Sequence, residues 1–248
     1  MRAAWLLLGL FLAPASSHAA DPSALWKIVN GKCVPHEQDA RDPSPCTVVD
    51  LANGAGKGFA VLKDRNGIAQ FLLIPTARIS GIDDPAILAP DAPNFWDDAW
   101  QARYFVEERL ETELPRDALA LAINSSVGRT QDQLHIHIDC VRPDVRDTLA
   151  ANMDKVTEVW TPFPEPLAGH RYEAIRIPQE TLEGANPFRI LADAGVRDMG
   201  MHTLVVVGTT SPNGDRGFVL LDDHADLLAG DRASGEQLQD HTCSVAGK

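Results

Sequence analysis

The sequence predicts an α+β fold: a mostly antiparallel sheet with helices packed on it, elaborated by a C-terminal α/β extension from about residue 150. Three observations predict it. Short apolar runs bounded by turn residues recur along the chain. Residues 95–114 repeat apolar side chains at helical spacing, and the last third mixes strand-like runs with helix starts. Strands with helices inserted, rather than a regular βαβ alternation, favour antiparallel pairing.

The elements follow in chain order. GFAVLK (58–63) and IAQFLLIP (68–75) flank DRNG and read as a β-hairpin, since Asn-Gly at 66–67 supplies the positive φ that tight turns need. Residues 95–114 read as one amphipathic helix with Phe95, Ala99, Ala102, Val106 and Leu110 on its stripe. Asn94 is its expected cap, Asp97 and Asp98 suit its positive end, and Pro115 stops it. ALALAIN (118–124) and QLHIHIDC (133–140) are expected strands joined by SSVGRT, and Pro143 opens a helix over 142–156. HRYEAIRI, MHTLVVVG and RGFVLLDD are further strands. A helix should follow Asn186-Pro187, and a last one should follow Ser234 with Gln237 completing a capping box.

The start of the chain is a targeting signal rather than fold. Arg2 precedes an uncharged run, Ala3 to Ala13, broken by Pro14 and followed by small residues ending near Ala19. Residues 1–19 are therefore expected to be a secretory signal peptide, cleaved or retained as an anchor. Residues 20–248 are expected to form a single catalytic domain with its C-terminal extension. The apolar run is shorter than the ~20 residues a spanning helix requires.

Composition bounds the rest. The 248 residues are 44% hydrophobic and 23% charged, which is the balance of a globular chain. A net charge of −13 excludes binding of nucleic acid or anionic membranes by bulk attraction. An anionic substrate would need a locally basic or donor-rich site. Four cysteines, Cys33, Cys46, Cys140 and Cys243, in a secreted chain imply two disulfides. Three connectivities are possible. A local Cys33–Cys46 bridge would staple the polar stretch between them and leave Cys140 with Cys243.

The stretch TQDQLHIHIDC (130–140) carries the chemistry. In a strand, alternate side chains share a face, so Gln133, His135, His137 and Asp139 lie together, opposite Leu134, Ile136, Ile138 and Cys140. Such a polar face either meets solvent or lines a cleft. It could hold a metal through His135 and His137, with Asp139 or His170 as third ligand. It could equally present a nucleophile, because imidazole is largely neutral near pH 7 and attacks phosphorus without needing a divalent metal. The preceding loop favours phosphate: Gly128 permits close backbone approach, Arg129 offers a fork and Thr130 a hydroxyl.

INSSVGRTQDQLHIHI resembles the histidine-triad superfamily of nucleotidyl hydrolases and transferases. In that alignment Gln133, His135 and His137 occupy the first, middle and last triad positions. The resemblance makes His135 the nucleophile and His137 a contact to phosphate or leaving group. It makes Asn124 and Thr130 holders of phosphate oxygens. QFLLIPTARI (70–79) resembles an earlier strand of the family, with Gln70 where a histidine often stands. A shifted register, with His135 first, His137 as nucleophile and Asp139 last, is the alternative.

Within that superfamily, NGKCVP, PSPC, GFAVLKDRNG, QFLLIPTARISGI, PNFWDDAWQAR, LAINSSVGRTQDQLHIHIDCVRPDVR and DRAS are similar, in order, to bacterial CDP-diacylglycerol pyrophosphatases. That resemblance implies hydrolysis of CDP-diacylglycerol to CMP and phosphatidate without a cofactor. It also implies a membrane surface as substrate source and a place in the periplasm or on the periplasmic face of the inner membrane. Arg142, Arg146, Lys63 and Asp64 are weaker candidates for phosphate or nucleoside contacts. His170, His202, His224 and His241 have no recognisable setting and read as surface residues. A periplasmic metal-binding protein and a non-catalytic nucleotide or lipid carrier are the competing functions.

Overall fold

The computed structural model describes residues 21–247. The segment expected to be a signal peptide, residues 1–19, lies outside them. Among the described residues no helix is long and apolar enough to cross a membrane.

The fold is α+β. One nine-stranded, wholly antiparallel sheet is built from β1 (Val48–Asp50), β2 (Phe59–Lys63), β3 (Phe71–Pro75), β4 (Leu119–Ile123), β5 (Ile136–Cys140), β6 (Thr161–Pro162), β7 (Glu173–Ile177), β8 (His202–Thr210) and β9 (Arg216–His224). Their order across the sheet is β1-β2-β3-β5-β4-β8-β9-β7-β6. Strands from both halves of the chain thus share one ladder, joined where β4 pairs with β8.

The 58–75 hairpin forms as its pattern dictates, Lys63 opposite Phe71, with Gly67 at φ 65° in the turn. The helices are α1 (Ala24–Ile28), α2 (Val34–Ala40), α3 (Phe95–Ala102), α4 (Tyr104–Leu110), α5 (Pro143–Asn152) and α6 (Pro187–Asp193). The expected single helix over 95–114 is two. Arg103 folds back, stacks on Trp100 and donates from Nη1 to the Trp100 carbonyl at 2.6 Å, competing for an acceptor in the helix ladder. The second helix stops at Leu110, with Glu111 left-handed, before Pro115 is reached. Asn94 makes no cap bond and instead donates to the Leu182 carbonyl. Asn186 does cap α6, accepting from the Phe188 amide. The helix expected after Ser234 is only a 3-10 turn, Gly235–Leu238, without a side-chain cap.

Both faces of the sheet are covered. The first packs Phe71, Leu73, Leu121, Ile136, Ile138, Leu204, Val206 and Phe218 against α3 and α6. Each fully buried side chain of this size contributes about 1.5–3 kcal/mol. The second face carries two separate apolar clusters. One includes Ala120, Ala122, Val205 and Val207 beneath α5; the other includes Ala60, Leu72 and Ile74 beneath α1 and α2. Across the ladder His137 sits between Leu72 and Ala122, so the seam between those clusters is where the polar strand face falls. Disulfides join Cys33 to Cys46 and Cys140 to Cys243.

Candidate active site

Strand pairing of β5 begins at Ile136, not at Gln133, yet the alternation of faces extends through His135. The polar face, expected to meet solvent or to line a cleft, is roofed. Gln133 and Asp139 are fully buried, and His135 and His137 are 7% and 4% exposed. The roof is the segment from Asp231 to Cys243. Its backbone bonds to Ser125, Cys140 and Arg142, Gln239 bridges to Val141, and the Cys140–Cys243 disulfide ties down its end.

The two imidazoles meet edge to face, 4.8 Å between centroids. His135 Nδ1 lies 2.6 Å from the Gln133 carbonyl. A carbonyl can only accept, so Nδ1 carries the proton and Nε2 keeps its lone pair. Nε2 has no hydrogen-bond partner among the described residues. Burial pushes the His135 pKa down, so the ring is neutral. This is the tautomer and charge state a nitrogen nucleophile needs.

His137 is set differently. The Gln70 amide nitrogen, a donor, is 2.8 Å from His137 Nδ1, and Glu236 Oε1 is 3.1 Å from the same atom. The carboxylate approach alone would favour an imidazolium. Burial outweighs it and pushes His137 down to about 3. With the ring neutral and the shorter contact a donor, Nδ1 accepts and the proton sits on Nε2. That Nε2 is buried without a partner, as are the side-chain oxygens of Gln70, Gln133 and Gln239. A buried imidazole nitrogen without a partner asks for a group that would fill its hydrogen bond. The pair therefore offers one lone pair and one N–H on adjacent rings.

Glu236 and His241 were not legible as site residues. Burial works against the charge of Glu236, but the hydrogen bonds it accepts from Asn124 and Gln70 favour the carboxylate. Asn124 donates to Glu236 Oε2 at 2.6 Å and accepts from Ser234 Oγ at 3.0 Å. Its side chain thus places Glu236. His241 Nδ1 donates to buried Asp139 at 2.7 Å, which raises the His241 pKa.

The other sequence candidates scatter. The close approach at Gly128 is made by the backbone of Arg232 and Ala233, whose oxygens lie 2.8 and 3.1 Å from where a Cβ would stand. Arg129 is bound to Asp83 and Asp132. Thr130 is exposed. Gln133 donates to the carbonyls of Pro75 and Ala77, fixing the start of the histidine segment. Arg142, seven residues beyond His135 and about 23 Å along the chain at ~3.3 Å per extended residue, pairs with Asp144. Arg146 pairs with Asp117, and Lys63 donates to the carbonyls of Asp64 and Gly67. The remaining histidines are not idle surface groups. His170 bonds to Asp231, buried His202 to Asp222, and His224 to Asp198. A cavity of about 1250 Å³ runs past Leu149, Met153 and Arg216 and does not include the histidine pair.

A family model described as CDP-diacylglycerol pyrophosphatase matches residues 20–247. A Yersinia pestis protein named CDP-diacylglycerol pyrophosphatase is 47% identical over 229 residues, covering 91% of this chain and 86% of that protein.

Proposed function

This chain belongs to the CDP-diacylglycerol pyrophosphatase family, a family of hydrolases, and from that premise we propose that it cleaves CDP-diacylglycerol by way of a histidine-bound nucleotide. His135 Nε2 attacks the phosphorus that bears cytidine. The N–P bond forms, the P–O bond of the diphosphate bridge breaks, and its electron pair leaves on the phosphatidate oxygen. Water then attacks the cytidylyl-histidine, releases CMP and returns the lone pair to Nε2. His137 donates from Nε2 to a phosphate oxygen in both steps. Asn124, Gln70 and Glu236 are positioning residues. Asn124 holds Glu236, and Gln70 bridges Glu236 and His137 so that the Nε2 proton stays where charge develops. Positioned donors of this kind typically supply most of a phosphoryl-transfer rate.

The observation that carries this reading is the 2.6 Å contact of His135 Nδ1 with the Gln133 carbonyl, because it leaves the nucleophilic nitrogen unprotonated. The test is to quench the enzyme during turnover of CDP-diacylglycerol labelled in the cytidylyl phosphate, then map the phosphorus-linked residue. Label on His135 is expected. Label on His137, or CMP formed with no trapped adduct in any variant, overturns it. Turnover is expected to persist in chelator, and loss of CMP release there would favour the metal-binding alternative.

The lipid would come from a membrane surface. Leu227 and Leu228, 54% and 102% exposed, stand just before the roof segment and suit contact with one. Flotation with lipid vesicles should weaken in Leu228→Asp, and unchanged flotation would remove that support. We place the protein in the periplasm or on the periplasmic face of the inner membrane, in keeping with its two disulfides. Recovery in the cytosolic fraction would contradict this.

A further inference from the structure

A second histidine pair lies at one end of the β8–β9 hairpin. His202 and His224 are cross-strand partners, with ring centroids 4.8 Å apart. Their Nε2 atoms converge on one carboxylate: His224 Nε2 is 3.0 Å from Asp198 Oδ2, and His202 Nε2 is 3.6 Å from Asp198 Oδ1. One ligand atom from each of the three residues falls within 4.8 Å of the others. In a tetrahedral zinc site, bonds of about 2.0–2.1 Å put ligand atoms roughly 3.3 Å apart. The three groups need to move little to meet that.

The far side of His202 is built as well. Both oxygens of Asp222, a buried carboxylate, lie 2.9 and 3.0 Å from His202 Nδ1. That contact puts the proton on Nδ1 and leaves the Nε2 lone pair facing Asp198. A carboxylate behind an imidazole orients metal-binding histidines in this way and raises their basicity. Asp198 and His224 are half or more exposed, so an ion can enter and keep open positions for water.

We propose that Asp198, His202 and His224 bind one divalent transition metal of the zinc class, as a site separate from the His135–His137 centre. Two imidazoles and one carboxylate suit zinc, nickel or copper, whereas magnesium and calcium take oxygen ligands. The site's effect is structural. The turn after Asp198 accepts the Ser126 amide through Gly200 at 2.7 Å and the Ala225 amide through Met201 at 2.8 Å. An ion there fastens the start of β8, the end of β9 and the loop leading to the histidine strand in one place. No phosphoryl chemistry passes through it.

The test uses full-length mature protein without a polyhistidine tag, stripped with chelator and titrated calorimetrically with zinc. One equivalent is expected, with a rise in melting temperature. The exposed substitutions Asp198→Ala and His224→Ala should abolish that rise while leaving melting in chelator and CMP release unchanged. Asp222→Asn should weaken binding about 10–100-fold. The proposal is overturned if stripped protein binds no zinc. It is also overturned if zinc binding survives His224→Ala and Asp198→Ala, or is lost in His135→Asn. Activity in chelator reads the histidine centre separately, so the failure of one claim is distinguishable from that of the other.

Discussion

Two pairs of histidines meet edge to face in one sheet, each with ring centroids 4.8 Å apart. His135 and His137 are wrapped in amides, carbonyls and apolar strand neighbours with one carboxylate, Glu236, and burial outweighs that charge and depresses both pKa values. His202 and His224 are faced by carboxylates. Burial also works against a charged His202, but the hydrogen bond and charge of Asp222 outweigh it, and its pKa is raised. The same ring geometry therefore gives a neutral pair poised for phosphorus and an acid-backed pair poised for a cation. Environment, not residue type or spacing, assigns the chemistry.

The sharpest way to break this contrast is to delete one ring from each pair. His135→Asn should lower CMP release by about ten-thousandfold or more while the protein stays folded, as loss of a covalent nucleophile usually does. His224→Ala should change it by less than about twofold, in the range of a surface change remote from the chemistry. Comparable losses in both variants, measured as CMP released from CDP-diacylglycerol, would mean the pairs are not functionally distinct.

The next effect is on the strap that delivers Glu236 to the first pair. Cys140 and Cys243 are 103 residues apart, and closing a loop of that length stabilises a fold by up to about 4.7 kcal/mol in the chain-entropy account. Replacing both with serine should cost roughly 2–5 kcal/mol in urea unfolding and should also reduce turnover. The second pair does not depend on that strap, so zinc binding by the still-folded variant should survive. Unchanged turnover in the variant would show that the roof is dispensable.

How much of this was legible follows from distance along the chain. Face alternation is local, so Leu134, Ile136, Ile138 and Cys140 could be assigned to the core from the sequence, and His135 with His137 to the other face. The 58–75 hairpin was legible for the same reason. Glu236 was not, because it reaches His137 across 98 intervening positions on a segment that carries no motif of its own. Neither was Asp198 beside His202, where a turn, not a periodic element, brings the groups together. The break at Arg103 escaped too. It arises from one side chain competing for a backbone carbonyl, which apolar spacing does not encode.

Acid should expose the first pair's burial as a stability slope. His137 titrates near 6.5 when unfolded and at about 3 when folded. Above 6.5 both states are neutral and nothing is lost. As pH falls below 6.5 the unfolded chain takes up a proton that the folded one refuses. Stability therefore declines by up to about 1.4 kcal/mol per pH unit until the folded pKa is reached. Urea midpoints at pH 7.5, 6 and 5 should show that decline, and it should be shallower in His137→Gln. An equal slope in the variant would mean that His137 is not held neutral.

The smallest expected effect is the most diagnostic of why the first pair is neutral. Glu236 is the strongest charge opposing the depression of both rings, since its carboxylate favours their protonated forms. The active form of His135 is neutral, so kcat/KM should be flat near pH 7 and fall only as pH drops through a pKa below 6.5. Glu236→Gln keeps an acceptor for Asn124 while removing the charge. The acid limb should then move to lower pH, by less than about one unit for a single neighbouring charge in partly screened surroundings. An upward shift would mean that the carboxylate was not supporting the protonated forms. It would also mean that burial alone does not account for the contrast between the two pairs.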